Sequence, residues 1–535
     1  MARHCTNSAP IHGVATIGIS GYIYLSILST PTIRANVKKL SPSGPPIWTF
    51  NAPGDGTGYD MHAIPVLDAA GTKLYIGSDF GKFSCLNTSD GSTPVGWTDF
   101  TVPTGTDKRI RSGAALDPNN PLGSTVYFHC NNGYLYALDA NTGAQRWTAY
   151  TANEGGPPVD PDFVTQPVSS SPVVDSSGVV FVGSSDGSVY SFNPSTGAQI
   201  WRVVLNPAAV EPVEATIAIG QNGILYVGTR VHPDTHIGGT MYAINPVTHT
   251  KLWTQVVGAD VGYIASVVID QSGFIYASHF GNTVRKLNPA DGTTAQSWVL
   301  QGKVCQTPSL NQNGLLILGV SLFPGSPEVN EVEAIKIGDP NLFEPIWEIQ
   351  QVAGQDLGNM LGSPAIRCAT DGRTYVADML GKVFLFNSGA PMMAGQWPTF
   401  QCGNRRAGKS ITYPTVIAEL PPFYSGNSVS TQVNRVDVFG RSVGQSYGFY
   451  DYACGSYSDQ GYAGILWRIN SVVHPGGCTF AYYTVNSFAT GLNSIGDVCG
   501  YNSARSSGPT ARTVTRCLRS SPRQQGPRVC VVQVG

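Results

Sequence analysis

Two histidines and an aspartate lie close together in the sequence, at His232, Asp234 and His236. Two imidazoles and a carboxylate are a ligand set that can bind zinc. These three residues lie on a proline-containing segment, with no helix to hold them in one geometry. The alternative interpretation is a polar surface loop without a ligand, and the sequence favours that alternative.

Three further charged residues lie beside short strands rich in small side chains. Arg109 lies two residues before the segment 111–117, Arg111 is its first residue, and Glu214 directly precedes residues 215–220. If these strands line a central channel, the three charges lie at one mouth of that channel, where a ligand could bind. Solvated charges at the rim of the molecule are the alternative.

The motifs of several enzyme classes are absent or lack the structural context that they need. GxSxG occurs at residues 183–187, 440–444 and 444–448, but these strings lie among predicted strands and turns, without the strand-to-helix turn that forms the nucleophile elbow of the α/β-hydrolases. There is no dinucleotide-binding GxGxxG motif that opens a helix. Residues 403–410, GNRRAGKS, match the phosphate-loop spacing GxxxxGK[ST], but they lack the strand–loop–helix unit that positions such a loop, so we do not assign a phosphate site to them. Paired carboxylates for glycoside hydrolysis could come from distant parts of the chain, and the sequence leaves them open.

The elements that position these residues are repeated strands. Eight of the nine tryptophans recur about every 50 residues, a period typical of propeller blades. We predict structural roles in the blades for Trp48, Trp97, Trp147, Trp201, Trp253, Trp298, Trp347 and Trp397. Residues 169–201 show the repeat best: a small-residue strand, a two-strand hairpin and a strand that carries the tryptophan. A large indole at a fixed place can bury its surface against the neighbouring blade.

Four antiparallel strands per repeat, joined by Asp-Gly, Asn-Gly or Thr-Gly turns, predict an all-β, eight-bladed β-propeller. Seven blades remain open because the first and last copies are degenerate, and an eighth blade could be shared between the two ends. We predict a propeller over residues 1–408, a linker over 409–430 and a small β appendix over 431–504. Residues 505–535 form a basic Ser/Pro-rich tail that we expect to be disordered.

Two strings carry a family resemblance. LDANTGAQRW (138–147) and FNPSTGAQIW (192–201) resemble the repeat of the PQQ-like propeller family, in the WD40-like superfamily. That family includes quinoprotein alcohol dehydrogenases and the propeller lipoprotein of outer-membrane protein assembly. The resemblance covers roughly residues 14–400, and residues 395–408 resemble a tail that often closes such propellers. Residues 431–504 resemble HAF-type extracellular repeats.

The resemblance to quinoproteins raises the question of whether the sequence contains the residues of a quinoprotein cofactor site. Such enzymes hold pyrroloquinoline quinone (PQQ) at the axis beside a Ca²⁺ ion bound by Glu, Asn and Asp, and adjacent cysteines often cover the cofactor. This sequence has no Cys-Cys pair, and the candidate ligands are Asp60, Glu214 and Asn359. Since Ca²⁺ takes six to eight oxygens, we do not assign catalytic, metal or cofactor residues. PQQ and Ca²⁺ would be cofactors only if the protein were a quinoprotein oxidoreductase.

Composition limits the partners and the compartment. The net charge of −2 and the 12% of charged residues give no field that would attract nucleic acid or a membrane surface. No stretch reaches the roughly 18 apolar residues of a transmembrane helix. Abundant Gly, Ser, Thr and Asn suit an extracellular or periplasmic protein. No clear signal peptide is visible, so either the export signal is absent or the start is truncated. The 11 cysteines leave disulfide connectivity open.

The sequence contains the repeats of propeller blades but no set of residues that we can assign to catalysis, and this favours a non-enzymatic protein. We predict an exported, monomeric binding or scaffold module for protein or glycan partners. The alternative is a PQQ-dependent oxidoreductase that acts on alcohols or sugars.

Overall fold

The computed structural model of the 535-residue chain divides into two compact units, Met1–Thr412 and Tyr413–Gly535. The structure describes residues 3–6, 11, 14–18, 20–30, 34–52, 60–103, 107–154, 170–220, 223–231, 239–257, 262–263, 265–279, 281–300, 302–304, 306–321, 330–338, 347–349, 351–352, 355–360, 362–367, 372–393, 397–402 and 408, and in the second unit only the strands given below.

The repeat folds as a four-stranded antiparallel sheet whose strands follow one another in chain order. In the copy formed by residues 173–204, the hairpin Val180–Gly183 and Ser188–Phe192 is fully buried, and the next strand, Gln199–Val204, buries alternate residues. Because side chains alternate between the two faces of a strand, one face of this outer strand packs on the propeller and the other faces solvent.

Seven blades of the first unit, in the described residues, are built wholly from consecutive strands. The first strand, β1 (Arg3–Thr6), belongs to the eighth blade. Blades 1 to 4 comprise β2 (Thr16–Ile17), β3 (Ile23–Ile27), β4 (Asn36–Leu40) and β5 (Pro46–Asn51); β6 (Val66–Leu67), β7 (Lys73–Gly77), β8 (Lys82–Asn87) and β9 (Phe100–Thr101); β10 (Ala115–Asp117), β11 (Thr125–His129), β12 (Asn132–Asp139) and β13 (Gln145–Glu154); and β14 (Val173–Val174), β15 (Val180–Gly183), β16 (Ser188–Phe192) and β17 (Gln199–Val204).

Blades 5 to 7 repeat the same order. They comprise β18 (Ala218–Ile219), β19 (Leu225–Gly228), β20 (Thr240–Asn245) and β21 (Thr250–Val256); β22 (Val268–Ile269), β23 (Ile275–Ser278), β24 (Thr283–Leu287) and β25 (Thr294–Val299); and β26 (Ser309–Leu310), β27 (Leu315–Val320), β28 (Glu331–Lys336) and β29 (Trp347–Ile349). A two-stranded hairpin, β30 (Gln351–Val352) and β31 (Gln355–Asp356), follows blade 7 in the chain.

Blade 8 is shared between the two ends of the propeller. It comprises β32 (Ala365–Ile366), β33 (Arg373–Ala377) and β34 (Lys382–Asn387), with β1 as its outer strand. The two pair antiparallel, with Arg3 opposite Leu385 and Thr6 opposite Lys382. The prediction of an eight-bladed propeller is therefore confirmed, and the seven-bladed alternative is wrong. Strand β1 supplies the outer strand that the last copy of the repeat lacks.

Most outer strands carry a repeated tryptophan, and the indoles of five tryptophans pack against the next blade: Trp48, Trp97, Trp147, Trp201 and Trp253. A Cβ added to Gly197 in blade 4 would lie 2.7 Å from the ring of Trp147 in blade 3. Gly197 also has φ 70°, where a side chain strains the backbone. In blade 5 the corresponding residue is His249, which adopts φ 59° and places its ring 5.4 Å from Trp201. The residue at positive φ in this turn, glycine or His249, thus packs against the tryptophan of the preceding blade.

Two tryptophans lie elsewhere than the repeat predicts. Trp97 lies between strands β8 and β9 and is not within a strand. Trp397 is not in an outer strand of blade 8, because β1 holds that place; it forms an isolated bridge with Ile269 of blade 6. Trp397 is fully buried, so its side chain still belongs to the core. The side chain of Trp347 lies outside the described residues.

The second unit contains one eight-stranded sheet in its described residues. Its strands are β35 (Ser430–Val436), β36 (Ser442–Asp451), β37 (Ser458–Arg468), β38 (Ser471–Val473), β39 (Asn486–Leu492), β40 (Val498–Ser503), β41 (Arg516–Leu518) and β42 (Val529–Val532). Strands β41 and β42 fall within the tail that we predicted to be disordered, so the structure differs there. The sequence of β42, VCVV, is rich in β-branched residues, which favour strands. Residues 409–429 of the predicted linker lie outside the described residues.

The described residues hold no helix long and apolar enough to cross a membrane; the single helical element among them is a 3-10 turn at Phe400–Cys402.

Candidate functional site

Two backbone positions recur at one end of the blades in which the structure describes them. The first, which we name the approach position, is the residue four before the innermost strand. The second, the turn position, is the second residue after the second strand. Both lie at the same end because the chain enters the innermost strand and turns between the second and third strands on that side of an antiparallel blade. His62, Arg111 and Glu214 occupy approach positions, and Asp79 and Arg230 occupy turn positions.

Between blades 2 and 3, three of these side chains form one buried cluster. The Arg111 guanidinium donates from Nε to Asp79 Oδ1 at 3.0 Å and from Nη2 to Asp79 Oδ2 at 2.6 Å. His62 Nδ1 lies 3.2 Å from Asp79 Oδ2. Burial alone would raise the pKa of Asp79, but hydrogen bonds and charges from His62 and Arg111 outweigh burial and lower it. Asp79 is therefore held as a carboxylate.

Arg109 forms a separate, more exposed pair beside this cluster. Its Nε donates to Asp107 Oδ1 at 2.8 Å and to Oδ2 at 3.0 Å, and its side chain is 31% exposed. Asn131, at the turn position of blade 3, donates to Asp107 Oδ2 at 3.2 Å. Arg109 and Arg111 thus lie near each other in sequence but neutralise different carboxylates.

In blade 5 the charges of the two positions are exchanged. Arg230 Nη1 donates to both carboxylate oxygens of Glu214, at 3.0 and 3.2 Å. Burial raises the pKa of Glu214 and exceeds the opposite effect of Arg230. A second carboxylate, Glu211, is buried nearby and accepts hydrogen bonds from the neutral donors Thr229, Tyr242 and Asn206.

The three residues predicted at a channel mouth therefore lie at one end of the blades, but each is bound to its own partner. Sequence reasoning missed the partners Asp79, Asp107 and Arg230. A signal for two of them is present, because a charged residue follows Gly-Ser at 77–78 and Gly-Thr at 228–229, where each second strand ends.

The candidate ligands for Ca²⁺ and PQQ do not form a common site. Asp60 Oδ1 accepts hydrogen bonds from the backbone N–H and the hydroxyl of Ser29, at 2.7 and 2.6 Å. Glu214 is paired with Arg230, and Asn359 precedes the innermost strand of blade 8. Because these donors belong to different blades and two are already bonded, they do not fit the oxygen-rich site that Ca²⁺ requires. In the described residues, no group of three His, Cys, Asp or Glu side chains could hold a metal. His232, Asp234 and His236 lie outside them.

Small hydroxyl side chains tie the innermost strands of neighbouring blades together. The backbone N–H of Gly113 in blade 3 donates to Ser171 Oγ in blade 4 at 2.8 Å. The N–H of Ser171 donates in turn to Thr216 Oγ1 in blade 5 at 3.2 Å. The same contact joins blades 6 and 7, from Ser266 N–H to Thr307 Oγ1 at 3.0 Å. Small residues near the axis thus satisfy backbone donors across blades.

The chain after blade 8 crosses the axis of the propeller. We name Trp397–Cys402 together with Gly408 the closing segment. At one side the N–H of Ile269 in blade 6 donates to Trp397 O at 2.9 Å, and that of Leu310 in blade 7 donates to Pro398 O at 3.0 Å.

The same segment reaches the opposite blades. Gln401 Nε2 donates to Ala114 O in blade 3 at 3.1 Å, and Val174 N–H in blade 4 donates to Gly408 O at 2.7 Å. Since blades 3 and 7 lie opposite each other in a ring of eight, the closing segment passes across the channel. Gln401 and Cys402 are both buried at positive φ, 49° and 68°, so contacts with the blades stabilise a strained backbone there.

The fold and these contacts define a class: an eight-bladed PQQ-like propeller whose axis is crossed by its own chain. The sequence model of the family described as outer membrane protein assembly factor BamB matches residues 95–187 and 185–390. This chain belongs to that family.

Individual relatives agree with this assignment. The outer membrane protein assembly factor BamB of Moranella endobia is 21% identical over 313 residues, which cover 56% of this chain and 74% of the relative. The protein of the same name from Yersinia pestis is 23% identical over 260 residues, 47% of this chain and 57% of the relative. The crystal structure of BamB from Moraxella catarrhalis shares the fold, with a TM-score of 0.52 at 13% identity; the match covers 72% of this chain and 98% of that one.

Proposed function

We propose that this protein is a non-enzymatic periplasmic scaffold that binds protein partners during the assembly of outer-membrane proteins. Membership of the family named for outer membrane protein assembly supports the process and the compartment. The closing segment carries the argument for a scaffold, because it occupies the axial position at which a propeller of this type would hold a cofactor. The outer strands and the charged end of the blades then provide the surface for partners.

Two predictions that the comparisons do not test extend this proposal. The propeller acts as a monomer, and the described tryptophans stabilise it rather than bind a ligand. The resemblance of residues 431–504 to HAF-type repeats supports a second proposal, that the appended unit adds a separate binding module.

The experiment removes the protein from its source organism and measures the outer-membrane proteins. We expect a lower yield of folded β-barrel proteins in the outer membrane and recovery when the full chain is restored. In-cell crosslinking to the full chain should capture a component of the assembly machinery. Unchanged outer-membrane protein levels together with no such crosslink would refute the proposal.

Two assays separate this function from the alternatives. Incubation of the purified chain with PQQ and Ca²⁺, followed by dye reduction with alcohols or sugars, should give no turnover. Saturable binding on a glycan array, without a protein partner, would replace the protein scaffold with a glycan-binding role.

A further inference from the structure

One face of blade 6 brings a histidine and an arginine to the same interface. In the hairpin of strands β23 and β24, Ala277 pairs with Arg285. Directly opposed residues of an antiparallel pair share a face, and so do residues two apart on one strand. His279, two residues after Ala277, therefore lies on the face that carries Arg285. Ala277 packs in the core cluster that contains Trp253, so this face is turned toward blade 5.

A tyrosine from the segment between blades 5 and 6 completes the group. Tyr263 is fully buried, and its ring lies 6.1 Å from that of His279 at an interplanar angle of 88°. Gly228 of blade 5 leaves room for Tyr263, because a Cβ atom at position 228 would lie 2.3 Å from Tyr263 Cβ and clash with it. The backbone N–H of Tyr263 donates to Thr229 O at 2.8 Å, which fixes the ring between the two blades.

The polar atoms of this group lack partners among the described residues. Neither ring nitrogen of His279 has a hydrogen bond, nor does the hydroxyl of Tyr263, although both side chains are buried. Arg285 is half-buried, and no described carboxylate pairs with it. Arg111 and Arg230, by contrast, each bind a carboxylate. Since buried polar groups are nearly always hydrogen-bonded, the unsatisfied His279 ring nitrogens and Tyr263 hydroxyl, beside a half-buried arginine, indicate a bound species.

The electrostatics around Arg285 indicate the sign of that species. Burial lowers the pKa of His279 to about 4, and the charge of Arg285 acts in the same direction. Burial raises the pKa of Tyr263, while Arg285 opposes that rise. Both side chains are thus within the electrostatic reach of one uncompensated guanidinium, and an anion would neutralise it.

We propose that Arg285, His279 and Tyr263 form a binding pocket for an oxyanion, a carboxylate or a phosphate, between blades 5 and 6. The guanidinium offers the planar pair of donors that matches such oxygens. The Tyr263 hydroxyl and one N–H of the neutral His279 add two further donors. This pocket uses none of the paired charges of blades 2, 3 and 5, although Tyr263 bonds to Thr229, the residue before Arg230. The proposal does not depend on the function proposed above.

The test titrates the full chain with inorganic phosphate and, separately, with acetate up to about 10 mM, where millimolar affinities give measurable occupancy. The histidine resonances are followed by NMR, with His279→Gln used to assign the signal of His279. We expect saturable shifts of that signal and a rise in the pKa of His279 when the anion is bound. Arg285→Gln should abolish the shifts, and Tyr263→Phe should weaken binding about tenfold.

The matched control is Lys286→Gln, which removes the same charge from the adjacent residue on the opposite face of β24 and should leave binding unchanged. Equal loss with this control, or retained shifts in Arg285→Gln, would overturn the proposal, as would no saturable shift with either anion in the unaltered chain. If Arg285→Gln does not fold, Tyr263→Phe decides alone, and unweakened binding in that variant overturns the proposal. Binding of phosphate but not acetate indicates a free phosphate; binding of both, with competition by a Glu-containing peptide, indicates the carboxylate of a protein segment.

Discussion

Blades 2 and 5 place opposite charges on the same two backbone positions. In blade 2 the acid is Asp79 at the turn position, and two side chains, His62 and Arg111, contact it. In blade 5 the acid is Glu214 at the approach position, and one side chain, Arg230, contacts it. Both carboxyl groups experience a burial penalty that raises the pKa, but the net shift is downward for Asp79 and upward for Glu214.

The two acids differ in the side chains that reach them. Asp79 is contacted by His62 and Arg111 and Glu214 by Arg230 alone, and each such contact offsets part of the desolvation of the carboxylate. One end of a single propeller thus contains a strongly stabilised carboxylate at a turn position and a weakly stabilised one at an approach position.

The largest expected effect comes from breaking the blade 2–3 cluster with Arg111→Met. This change removes the cation and leaves Asp79 buried, which typically costs about 3–5 kcal/mol of the free energy of unfolding. The measurement is the urea midpoint of the purified chain at neutral pH. A loss below about 1 kcal/mol, the range of exposed pairs, would mean that water reaches Asp79 and that the cluster is not buried in solution.

A smaller effect is expected from Glu214→Gln in blade 5. The amide keeps the shape of the side chain and removes a carboxylate that burial already disfavours, so the expected loss is about 1–2 kcal/mol. The same urea experiment gives the comparison with Arg111→Met. If the Glu214 variant proves the more destabilised of the two, the contrast between the blades is wrong.

The pH dependence of stability should sharpen the comparison further. Because the pKa of Asp79 is lowered on folding, its contribution is present above the ordinary value of 3.8 and is lost as the pH falls through the folded-state pKa. Because the pKa of Glu214 is raised, its contribution is present below the ordinary value of 4.5 and is lost as the pH rises through the folded-state pKa.

We therefore expect Asp79→Asn to lose less stability than the unaltered chain as the pH falls below 3.8. We expect Glu214→Gln to lose less stability as the pH rises above 4.5. One titrating group changes the free energy of unfolding by at most about 1.4 kcal/mol per pH unit. Urea midpoints of both variants and the unaltered chain across this range provide the measurement. Parallel pH profiles for the two variants would contradict the opposite shifts.

The smallest effect is expected from Arg109→Gln, which tests the exposed pair at the same end of the blades. Because the Arg109 side chain is 31% exposed, solvent screens its pair with Asp107. We expect a loss of at most about 1 kcal/mol, which salt should diminish. Measured beside Arg111→Met, this variant separates the effect of burial from that of charge. If Arg109→Gln lost as much stability as Arg111→Met, and salt did not change that loss, the distinction between the exposed and the buried arginine would be wrong.

Much of the blade could be predicted from the sequence because its signals are local. The Thr-Gly turn at 196–197 and Trp201 lie within a few residues of one another, and their order fixes a hairpin followed by an outer strand. Trp397 marks the limit of this reasoning. Its spacing fits the repeat, yet its bridge partner Ile269 lies in blade 6, and no local pattern encodes that contact.

The candidate site was predictable only in part for the same reason. Arg109, Arg111 and Glu214 precede innermost strands, as their positions in the repeat imply, and their role at a channel mouth stays a prediction. Their partners could not be read in the same way. Asp79 reaches Arg111 from the preceding blade, 32 residues away, whereas Arg230 reaches Glu214 within its own blade.

The sequence by itself determined the all-β class, the period of the blades, their turns and the small residues near the axis, because strand alternation and turn chemistry act over a few residues. Only the tertiary structure decided which charges pair, that β1 completes blade 8 and that the closing segment crosses the axis. These features join residues far apart in the chain, such as Gln401 and Ala114, separated by 287 positions. Closing eight blades into a ring brings such residues together, and contacts of that kind depend on the geometry of the whole ring.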